Sequence, residues 1–69
     1  MFFKYNDKMI INLDNLRMVS IDNPITEPTL WYLTFHYVDG STIRTPSTRD
    51  FNSVNEAFRT LNNNFKVIN

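Results

Sequence analysis

The strongest constraint in this chain is the stretch Thr29 to Thr45, which contains its single tryptophan, single histidine and single glycine. From Leu30 to Val38 nearly every residue is apolar, β-branched or aromatic, the types that fit a pleated, half-buried surface. In a strand, successive side chains point to opposite faces. One face therefore takes Trp31, Leu33, Phe35 and Tyr37, and the other takes Leu30, Tyr32, Thr34, His36 and Val38. The first set is the more uniformly apolar and is assigned to the core. The second is amphipathic.

Val38-Asp39-Gly40 ends this strand. Asp-Gly can form a two-residue turn with both residues at positive φ, or close a three-residue loop with Gly40 left-handed in a bulge. The two differ in register. A two-residue loop sets Ile43 opposite His36, whereas a three-residue loop sets Ile43 opposite Phe35 and Ser41 opposite Tyr37. A slip of one residue moves every side chain to the other face. Only the longer loop places Ile43 with Leu33 and Phe35, and it is the reading adopted. It sends Thr42 and Arg44 to the face of Thr34 and His36.

The remaining segments are arranged to extend or cover this hairpin. Met1 to Tyr5 and Lys8 to Asn12 read as two short strands joined across Asn6-Asp7, a pair that tolerates left-handed backbone. Leu13-Asp14-Asn15-Leu16 interrupts the pattern, either as a tight bend or as one helical turn capped by Asp14. Arg17 to Ile21 is strand-like again, with Val19 and Ile21 taken as inward. Asp22 to Thr29 is a connector stiffened by Pro24 and Pro28. After the polar segment from Pro46 to Asp50, Ser53-Val54-Asn55-Glu56 matches a capping box. Val54, Ala57, Phe58, Leu61 and Phe65 then form one apolar helical stripe. Asn62-Asn63-Asn64 is the expected stop, and residues from Phe65 to Ile68 either fold back as a short extended piece or fray. The expected class is α+β: one domain over residues 1–69, a small antiparallel β-sheet of four to five strands followed by one C-terminal α-helix packed on one face.

A chain of 69 residues buries only ~60% of the surface its unfolded form exposes. A single core at this size rarely supplies more than roughly 3–5 kcal/mol. With no cysteine, disulfides and thiolate metal sites are excluded. Self-association is a remaining route to stability, acting by mass action. The seven basic and seven acidic residues cancel, which is unlike a domain built to grip a phosphate backbone. No apolar run approaches a membrane span and no leader pattern opens the chain, so the expected location is cytoplasmic. The asparagine richness is a bias that accompanies low-GC bacterial and phage genomes.

Catalytic constellations are sparse. His36 is the sole imidazole, and Ser20, Ser41, Ser47 and Ser53 have no motif context. The carboxylates are scattered singly among turns and caps, and one glycine cannot build a phosphate-cradling loop. No enzymatic role, cofactor or metal is expected. The candidate functional surface is the amphipathic hairpin face, Tyr32, Thr34, His36, Thr42 and Arg44, because one helix covers one face of a sheet. Tyr and Arg are enriched at interface hot spots. The expected function is therefore a non-enzymatic protein-interaction module that acts by stoichiometric binding, as an accessory factor or inhibitor, and forms a homodimer or higher homo-oligomer. The alternative is single-stranded nucleic-acid binding, with bases stacked on Tyr32 and His36 and Arg44 on phosphate.

Overall fold

The computed structural model describes the backbone of residues 1–65 and the side chains of residues 1–63. The chain runs β1 (Phe2–Asn6), β2 (Met9–Asn12), β3 (Leu16–Asp22), β4 (Tyr32–Tyr37), β5 (Thr42–Arg44) and α1 (Phe51–Phe65). The five strands and one helix match the expected α+β class, but the strands form two antiparallel sheets, β1-β2 and β3-β4-β5, and not one. The break lies at Leu13 to Leu16. Asn15 adopts φ 62°, and the Leu16 N–H donates to the Leu13 carbonyl at 3.3 Å. Asn accepts this left-handed conformation more readily than most residues. The resulting bend turns the chain away from β2, so β3 finds its partner in β4, across the proline loop. The loop between them is held by the Asn23 amide, which donates to the carbonyls of Pro28 (3.1 Å) and Leu30 (2.7 Å).

The central hairpin has the three-residue loop. Phe35 pairs with Ile43 and Thr34 with Arg44, Gly40 is left-handed at φ 91°, and the Tyr37 N–H donates to the Ser41 carbonyl at 3.0 Å. Leu33 and Phe35 are completely buried. The alternation of β3 is settled by a bulge at Arg17: Leu16 pairs with Tyr37 and Met18 with His36. An extra residue in one strand shifts the phase of alternation. Leu16 therefore joins Val19 and Ile21 on the core side, while Met18, Ser20 and Asp22 take the other.

The core joins Ile11, Val19, Leu33, Phe35, Val54 and Leu61, so it draws on both sheets and the helix. The β1-β2 hairpin docks on it through Phe3, Tyr5, Met9 and Ile11, and the Tyr37 hydroxyl donates to the Asn12 carbonyl at 2.7 Å. Partial burial pushes the Tyr37 hydroxyl above its ordinary pKa. The helix lies over β3 and β4. Ile43, placed from the sequence with Leu33 and Phe35, has the right register yet remains 40% exposed because the helix does not extend over β5 as far as that position.

The helix begins earlier than the capping box implies. Asp50 is its N-cap, accepting the Ser53 N–H on Oδ1 at 3.2 Å and the Ser53 hydroxyl on Oδ2 at 2.6 Å. Asp caps as well as Ser, and tertiary structure favours the earlier start. Trp31 and Thr48 exchange two backbone hydrogen bonds, and the Phe51 ring packs on Trp31 with centroids 4.6 Å apart. Nor does the asparagine run stop the helix, which continues to Phe65. Asn costs a helix only a few tenths of a kcal/mol to about 0.7, less than burying Leu61 returns. Phe65 as a stripe residue lies outside the described side chains, and the expectation for an extended or frayed piece after it lies outside the described residues. Among the described residues no helix is long and apolar enough to cross a membrane.

Where β5 ends, Thr45 performs two tasks. Its N–H donates to the Leu33 carbonyl at 3.0 Å, and its hydroxyl accepts the Leu33 N–H at 2.9 Å. The side chain thus replaces its own carbonyl in the ladder and lets the backbone turn into Pro46. Thr45→Val keeps the shape, leaves the buried Leu33 N–H without an acceptor and costs about 1–3 kcal/mol, whereas Thr45→Ser costs less; urea denaturation of both variants measures the difference. The Asp50 carboxyl is held below the usual carboxylate range, first by the Ser53 hydroxyl and then by its N–H. Because the folded value is the lower one, this contribution is complete at pH values above the unfolded pKa and disappears as pH falls through the folded value. The stability gap between wild type and Asp50→Asn is expected to narrow from neutral to acid pH in parallel denaturation series.

Candidate interaction face of the three-stranded sheet

The sheet face opposite α1 is organised in rows across β3, β4 and β5. Met18, His36 and Thr42 form one row, Ser20, Thr34 and Arg44 the next, and Asp22 and Tyr32 the last. All five residues selected from the sequence, Tyr32, Thr34, His36, Thr42 and Arg44, therefore share this face. The structure adds Met18, Ser20 and Asp22. Strand alternation already places Met18 and Ser20 outward, whereas Asp22, assigned from the sequence to the proline connector, is the last residue of β3; nor does the sequence show that β3 is the strand beside β4.

The added residues change the chemistry of the face. Asp22 Oδ2 accepts the Ser20 hydroxyl at 2.8 Å and the Thr34 hydroxyl at 2.7 Å, and Ser20 Oγ lies 3.1 Å from His36 Nε2. A serine hydroxyl has one proton, and a carboxylate can only accept. The Ser20 proton is therefore committed to Asp22, so His36 Nε2 carries a proton and donates it to Ser20 Oγ. The chain of donors runs from His36 through Ser20 to Asp22, with Thr34 donating from the other side. In a nucleophilic serine site the hydroxyl gives its proton to the histidine. Here the polarity is reversed: the serine accepts from the imidazole. Sequence order alone does not suggest that Ser20 and His36 meet; the pairing of β3 with β4 brings them together.

Thr34 is only 5% exposed and its hydroxyl is consumed by Asp22, so it supports the face from beneath and is not free to contact a partner. Tyr32 and His36 are half-buried, while Thr42 and Arg44 are exposed. The Arg44 guanidinium carbon sits 5.4 Å from the centre of the Tyr32 ring, within cation–π range. This contact occupies one face of the aromatic ring that base stacking would use. Among the described residues, Arg44 has no carboxylate within ion-pair distance, and no group of three or more His, Cys, Asp or Glu side chains is placed to hold a metal. One surface hollow lies along the outer side of α1 at Asn55, Glu56 and Arg59, and another at the far end of the hairpin beside Tyr37, Val38 and Ile43.

The chain matches no family model, no curated protein and no solved structure.

The donor chain has a direct consequence. Asp22→Ala leaves the buried Thr34 hydroxyl without its acceptor and is expected to cost about 1–3 kcal/mol in urea denaturation. Nitrogen chemical shifts of the neutral His36 ring are expected to report a proton on Nε2 in wild type and a mixture of tautomers in the variant.

Proposed function

We propose that this chain is a non-enzymatic protein-interaction module that acts by stoichiometric binding, as an accessory factor or inhibitor, and that it self-associates. The observation that carries this reading is the uncovered face of the three-stranded sheet. Met18, Tyr32 and His36 are half-exposed there, Thr42 and Arg44 are exposed, and among the described residues no other element lies over them. The relay from His36 to Asp22 holds part of this surface in place before any partner arrives. A surface ordered in advance loses less entropy on binding. Its aromatic and arginine content is the composition of interface hot spots.

Single-stranded nucleic acid is the less supported alternative. The net charge is zero, and Arg44 already lies over the Tyr32 ring. Stacking platforms for bases work together with a basic groove.

The test compares wild type with the double variant Tyr32→Ala/Arg44→Ala, both checked for folding by circular dichroism. Light scattering over a concentration series and affinity capture against lysate are expected to show self-association or a specific captured protein in wild type only. A wild-type chain showing neither, or showing oligonucleotide binding with a steep salt dependence, overturns the reading.

A further inference from the structure

We infer that the occupant of the uncovered face is a second copy of the chain, related by a two-fold axis that runs along β4. This inference rests on reading the face as an interface and adds the partner and its orientation. The basis is the placement of charge. Arg44 lies on β5 at one edge of the sheet, and Asp22 lies on β3 at the other, with β4 between them. Arg44 has no carboxylate partner among the described residues. Asp22 uses Oδ2 for Ser20 and Thr34, while Oδ1 has no hydrogen-bond partner among them. The face therefore carries one unpaired cation and one half-used anion on opposite edges, which is the arrangement a two-fold axis can make complementary.

Two face-to-face orientations keep the strands of both copies aligned. With the axis across the strands, β5 faces β5 and β3 faces β3, so like charges meet. With the axis along β4, β5 of each copy faces β3 of the other. Packed sheets lie ~10 Å apart, and the register offset between Arg44 and Asp22 is two residues, ~7 Å along the strand, so their Cα atoms lie about 12 Å apart. An extended arginine and an aspartate bridge that span. In the same arrangement Tyr32 and His36 meet their own counterparts across the axis, with Thr34 beneath them. The patch is three strands wide and about six residues long, roughly 10 by 20 Å between backbone positions. That is smaller than the ~800 Å² per partner of a standard interface, so the dimer is weak and forms reversibly with concentration.

The test is a charge exchange followed by sedimentation velocity over a concentration series. Arg44→Glu, a substitution at an exposed position, is expected to weaken self-association by at least about tenfold through like-charge contact with Asp22 of the other copy. Mixing Arg44→Glu with Asp22→Lys is expected to restore a one-to-one dimer that neither variant forms alone. Asp22 also anchors two hydroxyls, so if Asp22→Lys does not fold, Met18→Lys takes its place. Met18 lies on the same strand at an equal offset on the other side of the Arg44 row. Rescue in the mixture supports the inference. Self-association undiminished by Arg44→Glu, or its loss without rescue, overturns the orientation while leaving a self-associating module. A wild-type monomer at every concentration that still captures a specific protein overturns the second copy and the self-association while leaving the interaction module, and a monomer that captures nothing overturns the proposed function as a whole.

Discussion

Every part of this fold depends on β4 being hydrogen-bonded on both sides and covered differently on its two faces. It is the middle strand of the three-stranded sheet. On one face Leu33 and Phe35 are completely buried beneath the helix and the first hairpin. On the other, Thr34 is almost as inaccessible, yet what surrounds it is polar. A buried hydroxyl without a partner is costly, so the Thr34 position requires an acceptor, and Asp22 supplies it from the neighbouring strand. The register of β3 against β4 is thus held by apolar packing above the sheet and by hydrogen bonds below it. A slip of one residue would break both at once.

The same residues give the open face its character. A solvated sheet face built only of short polar side chains would hold its position weakly. Here Asp22 gathers two hydroxyls, and Ser20 carries the connection to His36. Arg44 is drawn over Tyr32 at the opposite edge. The outcome is a surface with defined chemistry at each edge and an aromatic and imidazole ridge between. The direction of the hydrogen bonds, from imidazole to hydroxyl to carboxylate, suits support and orientation.

Much of this was legible in the residues. Trp31, Leu33, Phe35 and Tyr37 alternate as a core face, and the location of Ile43 with them chose the three-residue loop at Asp39-Gly40 correctly. The five candidate site residues do share a face. Other features were hidden for physical reasons. The bulge at Arg17 changes the phase of alternation at the start of β3 and brings Leu16 to the side of Val19 and Ile21. Two sheets replace one because Asn15 takes a left-handed conformation that its residue type permits but does not require. The helix starts from Asp50 and not Ser53 since both are competent caps, and the choice falls to Trp31, whose pairing with Thr48 and packing on Phe51 deliver the chain to that point.

Strand and helix periodicity are local, and the sequence by itself determined them: which segments are extended, which stripe of the helix is apolar, and which residues of the long hairpin lie on each side. Partner choice is not local. That β3 pairs with β4, that Asp22 comes within reach of Thr34, and that Ser20 meets His36 were decided only by the tertiary structure. The reason is that a hydroxyl or carboxylate carries no address along the chain. Its partner is whichever complementary group the packing of Leu33, Phe35, Val54 and Leu61 brings within three ångströms or so.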